Sequence, residues 1–452
     1  ETRFTNIRHV MPGVTVTLTK DGSTRRGHWR LECRDPLPPT ANRADVMAVL
    51  RDKIDRAVRR RMPTQGPMLS HLSGGLDSSA ISALAARAAA DSGLSVRAYA
   101  FGGRSLPRDI PIIDEQPAID AVLAAYPNID LHPVFSPDHE LLARGAISPV
   151  FPMFDGPEDL YEQVVRDAAA LGGTSILAGF GGDEVVSYAG TGGFAEMLMK
   201  GRWRALWSIS RQVGRRSGRA AWRIIASEVQ RFVLPNILPR MSRQGLGRSN
   251  ESIRMLNRFL KPAFQTLTHD DNPELRADSG WLRAERIHVG HTVWIQEQAA
   301  QVAGRHGLRY ASPLLDRDVM EFAIRLPPEF LHLDGLMRGG IRDPMDGILP
   351  DLTRMRRTKL HFDPAGSLVF ARDIAAVLDC VRTLQASSAA EMFDLDLMTE
   401  TLADVPDARD VIEQIRLASA RGEQFFLPEL GVAQPVLLAR FVDTATRALK
   451  NT

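Results

Sequence analysis

Two cysteines are all the 452-residue sequence has, Cys33 and Cys380, and neither has histidine or cysteine neighbours at metal-ligand spacing. A disulfide framework or zinc site is therefore not expected, and a reducing cytoplasm is the expected compartment. The chain also lacks an apolar run long enough to cross a bilayer and opens with no signal-peptide pattern, so no membrane partner is expected. It lacks charge of one sign: 56 Lys and Arg against 54 Asp and Glu leave a formal +2, which gives no global reason to expect nucleic acid. Internal repeats and low-complexity stretches are missing too. What remains is ordinary for a globular protein, 44% hydrophobic and 24% charged, with enough length for two or three domains.

Residues 1–35 read as a small β unit. Val14, Val16 and Leu18 alternate with threonines, Asp21-Gly22 marks a turn, and Gly27 to Leu31 offers a return strand. A lone hairpin is marginal in water, so this unit is expected to lean on something larger. Pro36, Pro38 and Pro39 mark a linker, which places a boundary near residue 40. From Ala41 the pattern changes. Val46, Val49, Leu50, Ile54 and Val58 predict a helix that ends before Pro63. Strand candidates follow at Met68–Leu72, Ser95–Phe101, Ile129–Phe135 and Ser175–Ala178, with helices between, one of them over Ala118–Tyr126. That alternation predicts an α/β fold with a doubly wound, mostly parallel sheet.

Residues 191–285 break the rhythm and read as a basic helical insertion. Lys200 to Arg248 holds twelve Lys or Arg and one acid, Glu228, with Trp203 and Trp207 four apart. One reading is a solvated insertion whose tryptophans pack on the main domain; the other is a docking surface for an acidic peptide or partner protein. Base-reading motifs and further aromatic platforms are missing, so nucleic acid is not the expected partner. From Arg286 onward helices dominate, giving a helical C-terminal region with a motif cluster between Arg309 and Pro364.

The chemistry concentrates in Ser73-Gly74-Gly75-Leu76-Asp77-Ser78-Ser79, set between a strand and a helix. Glycines let backbone amides approach an anion, and a helix start presents unpaired N–H groups at its positive end. The three serines add hydroxyl donors. Asp77 would repel phosphate unless a cation lies between them, which implies Mg²⁺. A plain strand–helix turn needs one capping residue, whereas this loop supplies four. No Gly-Lys-Ser/Thr follows, so it is not a Walker loop.

These residues resemble the PP-loop pyrophosphatases, and within them the C-terminal domain of asparagine synthetases and their relatives. Three further segments carry the resemblance in order: Ala178-Gly179-Phe180-Gly181-Gly182-Asp183-Glu184, then Pro313-Leu314-Leu315-Asp316, then Leu349-Pro350 with Arg357-Thr358-Lys359. It covers about Ala41 to Pro364, and makes residues 41–452 the ATP-binding synthetase domain and residues 1–40 the tail of a glutaminase-like β domain with its linker. The resemblance implies ATP and Mg²⁺, with Asp77 and Asp183 as catalytic metal ligands. It implies that Leu72, Phe101 and Gly179 cup adenine, and that Ser73, Gly74, Gly75, Ser78 and Ser79 hold pyrophosphate. Lys359 would reach the α-phosphate and developing oxyanion, with Arg342 and Arg357 as further pyrophosphate ligands. Glu184 and Asp316 read as structural carboxylates, and His71 and His132 as packed or hydrogen-bonded histidines.

Three departures bear on the substrate. Neither cysteine stands near a free N-terminus, so glutamine hydrolysis is not expected of the chain as given. Phe180 replaces the acid of asparagine-making relatives and the tyrosine of a β-lactam-forming one. Arg309-Tyr310-Ala311-Ser312-Pro313 replaces a Glu-X-Arg-X-Pro segment. A peptide-borne carboxylate is then expected in place of free aspartate, with Phe180 lining its pocket, as in lasso peptide cyclases. The expected partners are a precursor peptide and a leader peptidase or leader-binding protein. Free-amino-acid synthetases and a catalytically silent binding protein remain the alternative readings.

Overall fold

The computed structural model describes residues 8–101, 115–134, 158–233, 251–265, 277–288, 290–357, 363–421, 425 and 427–450. An antiparallel hairpin opens it, β1 (Val14–Thr19) and β2 (Gly22–Gly27). The return strand starts earlier than the Gly27–Leu31 expected from sequence, directly at Gly22. Trp29 and Leu31 are thereby released from pairing: Trp29 Nε1 donates to Glu321 at 2.7 Å, and Leu31 is buried. The two strands themselves stay exposed, with Leu18 at 77%, and the unit leans on the core, as expected, through Leu31 with Trp29 and Cys33 packed beside it.

Helix α1 (Arg43–Arg59) begins where the Asn42 side chain accepts from the Ala44 amide, satisfying one otherwise orphaned donor. It buries Val46, Met47, Leu50, Ile54, Ala57 and Val58, while Val49, expected on that face, points to solvent. The central sheet holds β3 (Met68–His71), β4 (Val96–Phe101), β5 (Ile129–Val134), β6 (Ser175–Leu177) and β7 (Arg309–Ala311), all parallel, in the order β5-β4-β3-β6-β7. Four of the five follow the sequence reading within a residue or two. Strand β7 was missed, because three residues inside a motif give no alternating pattern to read.

The alternation of side chains along β3 divides the core. Met68 and Leu72 face one layer, with α1, α2 (Leu76–Ala90) and α3 (Gln116–Ala125). Leu69 faces the other, with α4 (Glu158–Ala170) and the helix Gly290–Gly304. Helices on both faces of a parallel sheet make the doubly wound α/β fold expected. Helix α2 is buried nearly all round, and its run of alanines keeps it thin enough to fit there. The chain leaves β3 toward one edge and returns to β6 on its other side, which creates a crevice outside the carboxyl ends of these two neighbours.

The basic insertion is helical as expected where described, with α5 (Gly193–Met199), α6 (Trp203–Ser217) and α7 (Ala221–Glu228). Trp203, Trp207 and Trp222 do not pack on the main domain: they are 62%, 50% and 60% exposed, because Leu206, Ile209 and Ile224 take the buried side, whereas Trp281 packs against the main core. A second core, around Phe259, Phe370, Phe393, Met398 and Val436, gathers residues 251–265 with the C-terminal helices. Among the described residues no helix is long and apolar enough to cross a membrane.

Two buried imidazoles make stability depend on pH. Burial pushes His71 and His332 down to about 4 from an ordinary 6.5. A depressed pKa means the unfolded chain binds the proton first, so their contribution is complete above pH 6.5 and is lost as pH falls toward 4. Each is worth about 3 kcal/mol over that window. Thermal melts stepped through that window should show the midpoint dropping steeply; a flat profile down to pH 4.5 would contradict the burial of both rings.

Candidate active site

The Ser73–Ser79 loop crosses the crevice directly after β3. Leu72 is fully buried and its amide donates to the Tyr99 carbonyl, extending the β3–β4 ladder into the loop. Gly74 adopts φ +71, and a Cβ there would lie 2.9 Å from the Glu115 carbonyl oxygen. The Ser73 and Ser78 hydroxyls meet at 2.7 Å, and Ser78 Oγ also accepts from the Ser73 amide at 3.1 Å, which folds the loop back on the first turn of α2. Ser79 is fully buried, so of the three serines Ser73 and Ser78 remain nearer the surface. Gly75 is the N-cap of α2 and contributes no side chain to the capping, leaving amides of the first turn for an anion.

The second motif follows β6 and lies against that helix start. A Cβ on Gly179 would come within 2.6 Å of the Ser78 amide nitrogen and 2.8 Å of the Asp77 carbonyl carbon. One on Gly182 would meet Asp77 Oδ1 at 2.4 Å, and one on Gly181, at φ +85, would meet Leu315 at 2.2 Å. The glycines are there for contact as much as for conformation. Behind them, Gly182–Val186 forms a single π-helical turn that carries Asp183. Asp316 anchors the third motif as expected of a structural carboxylate, accepting from the Asp318 amide and from Arg61.

The structure brings Asp77 and Asp183 to one group that sequence reasoning missed. Arg338 lies 2.8 Å from Asp183 Oδ1 and 3.9 Å from Asp77 Oδ2. It sits at φ +69, a left-handed conformation that costs a non-glycine residue about 1–3 kcal/mol. Gly339 and Gly340 follow, where added Cβ atoms would meet the Phe330 and Val186 carbonyl oxygens at 2.4 and 2.3 Å. The signal available in the sequence was a cation directly before Gly-Gly, which alone says nothing of its partners. Two carboxylates that converge on one cationic group offer hard oxygens to a divalent cation as well, so the donor set fits Mg²⁺ with phosphate and water completing it. Among the described residues no group of three or more His, Cys, Asp or Glu gathers into an all-protein metal site.

Arg342 is placed differently from a phosphate ligand. It is buried, donates to the Met337, Arg354 and Arg356 carbonyls, and is lowered to about 10 by burial, then by the charges of Arg338 and Arg354. Its guanidinium ties down the 354–356 segment. Arg357 is exposed. Lys359 lies outside the described residues.

Phe180 projects beside the cradle into a box of rings. Its centroid is 6.4 Å from Tyr161 and 5.9 Å from Tyr310, and Phe101 meets Tyr161 at 4.9 Å. His71 stacks on Tyr310 at 5.5 Å, with Nε2 and the phenol oxygen 3.2 Å apart. Burial pushes Tyr161 up to about 12 and Tyr310 well above its ordinary value, so both phenols stay neutral and protonated. His132 stands apart, hydrogen-bonded to Arg97 at 2.9 Å. Phe101, expected at adenine, is thus also a wall of this box. Arg309, two residues from Ala311, is exposed.

Comparison with known proteins meets this geometry. Over 83 residues the chain is 36% identical to asparagine synthetase [glutamine-hydrolyzing] 3 of Bacillus subtilis (strain 168), a stretch that spans 18% of this chain and 13% of that protein. Residues 49–420 match the asparagine synthase family, a span that takes in the Ser73 loop, the Gly179–Glu184 loop, Asp316 and Arg338. With most of its length inside that match, the chain belongs to the asparagine synthase family.

Proposed function

We propose that the protein is an ATP-dependent carbon–nitrogen ligase that adenylates a peptide-borne carboxylate and closes a macrolactam, as lasso peptide cyclases do. One observation carries the choice of substrate: Phe180, three residues before Asp183, sits in an aromatic cluster with Phe101, Tyr161 and Tyr310. Free aspartate carries two carboxylates and an ammonium that need polar partners, whereas neutral rings favour the apolar surface of a larger substrate.

In the first step a carboxylate oxygen bonds to the α-phosphorus of ATP and the bond to pyrophosphate breaks. In the second the amine nitrogen bonds to the acyl carbon, AMP departs with the electron pair, and the amine loses a proton. The Ser73–Ser78 loop and the first turn of α2 supply amide and hydroxyl donors to the phosphates. Asp77 and Asp183 would hold Mg²⁺, which neutralises phosphate charge. Arg338 adds a fixed positive charge at the same place. Phe180 and its neighbours exclude water from the activated acyl group, which otherwise hydrolyses. Tethering acid and amine in one peptide raises the amine's effective concentration to the order of 10⁵–10⁸ M, so no ammonia source is required.

A second reading, asparagine formation from free aspartate, is favoured by the stretch of identity to the Bacillus protein. One experiment separates the two: mass spectrometry of candidate peptides incubated with protein, ATP and Mg²⁺. Loss of one water without proteolysis is the expected result. Unchanged peptides, together with pyrophosphate release driven by aspartate and ammonia, would transfer the assignment to the second reading.

A further inference from the structure

The cations of the insertion fall into two groups. Those near the core are engaged: Lys200 pairs with Glu196 at 2.8 Å, Arg202 with Glu329 at 3.0 Å, and Arg216 donates to the Asp334 carbonyl. Those on the outer face are not. Arg204, Arg211, Arg215 and Arg219 are exposed and have no carboxylate partner among the described residues. Between Trp203 and Arg223 the sequence has six arginines and no acid, although the whole chain nets only +2. The rest of the chain is therefore net acidic, and the positive field is concentrated on one hairpin.

Spacing arranges this face. Trp203, Trp207, Arg211 and Arg215 recur every four residues along α6 and form one row, with Arg204 beside it. The row has two indoles at its start and two guanidiniums at its end. Met199, at the end of α5, is 62% exposed just before it. Indoles are enriched at interfaces, where one side of the ring is apolar and the N–H is wet, and this row presents two of them together.

We propose that this row is a docking surface for an acidic segment of the polypeptide substrate that carries aromatic or aliphatic side chains, remote from the bond being made. The proposal rests on the peptide reading above. Charge complementarity selects the acid, and the two tryptophans select the apolar side chains between acids. A bilayer suits the face less well, because α6 has already spent its continuous apolar stripe, Leu206 and Ile209, on the core with Phe194 and Met197. The surface also leads to the catalytic carboxylates. The Arg216 contact holds Asp334, and a Cβ on Gly335 would lie 2.5 Å from the Gln212 carbonyl oxygen, so α6 is seated on the β8–β9 turn (His332–Leu333 and Leu336–Met337). The residue after β9 is Arg338, which faces Asp77 and Asp183.

The test uses the full chain and a fluorescein-labelled peptide with Glu at successive helical turns and Leu and Phe between, read by anisotropy. Binding should weaken at least about tenfold between roughly 50 and 200 mM salt. W203A/W207A and R204E/R211E/R215E should each bind at least about tenfold more weakly while melting at the parent temperature, since all five side chains are exposed. For a peptide that is cyclised, the same variants should raise KM and leave kcat unchanged. Parent-like binding by both variants would overturn the surface. Binding of phosphatidylglycerol vesicles or oligothymidylate on this row, without the peptide, would overturn the polypeptide as occupant. If no peptide drives pyrophosphate release in the parent, the substrate reading fails and with it the source of the segment, while the binding curves still decide whether the surface exists.

Discussion

Gly179→Ala is expected to lower ATP-dependent turnover at least about a hundredfold, the loss that follows when reacting groups are displaced by about 1 Å. The reason is steric and local. The new methyl would sit 2.6 Å from the Ser78 amide nitrogen and 2.8 Å from the Asp77 carbonyl carbon, both backbone atoms of the first turn of α2. Neither can swing aside as a flexible side chain would. The Gly179–Glu184 loop must then lift away from the helix start, carrying Asp183 from Asp77. Overpacking of this kind costs about 1–3 kcal/mol of stability, which a domain of this size survives, so the protein should remain folded. Gly304→Ala is the control, since nothing lies within 4 Å of an added Cβ there. Carboxylate-dependent pyrophosphate release and a melting curve are the two measurements. Gly179→Ala with turnover within threefold of the parent would show that the two loops need not touch.

Asp183→Asn is expected to have the second large effect, about 10²–10³-fold on turnover, the scale of removing one preorganised electrostatic partner. The substitution keeps the shape and removes the charge, leaving Arg338 with Asp77 as its remaining carboxylate at this point, at 3.9 Å. The companion variant Arg338→Gln separates charge from place. Arg338 and a divalent cation seek the same oxygens, so Arg338→Gln should reach half-maximal pyrophosphate release at a lower Mg²⁺ concentration than the parent. A Mg²⁺ requirement that rises in Arg338→Gln would mean the arginine assists the cation and does not compete with it.

The strand–loop–helix turn at Ser73–Ser79 was legible in the sequence because its geometry is local. Ser73 to Ser79 combines a strand end, glycines and a helix start within seven residues, and each reads from its own neighbours. Strands β3 to β6 were legible as short segments alternating with helical ones for the same reason. Arg338 was not, because its role exists only through Asp77 and Asp183, brought to it by the strand order and not by any nearby pattern. Tyr161 and Tyr310 were hidden likewise: one stands on α4, the other on a three-residue strand, and they meet Phe180 only across the sheet edge. The exposure of Trp203 and Trp207 went against the packing reading, because a four-residue spacing fixes that two side chains share a face without saying which way the face turns.

The strand order also has a consequence for how the protein is made. Strand β3 pairs with β6, and the residues that gather at the crevice, Asp77, Asp183 and Arg338, are each separated from the next by more than a hundred residues of chain. Contacts so distant in sequence close slowly, since loop entropy must be lost before they are gained. During synthesis the Ser73 loop emerges before β6 (Ser175–Leu177), and its balancing arginine, Arg338, emerges later still. Nucleotide therefore cannot serve as an early folding template, and chains in which β6 has not yet emerged expose the apolar edge of β3.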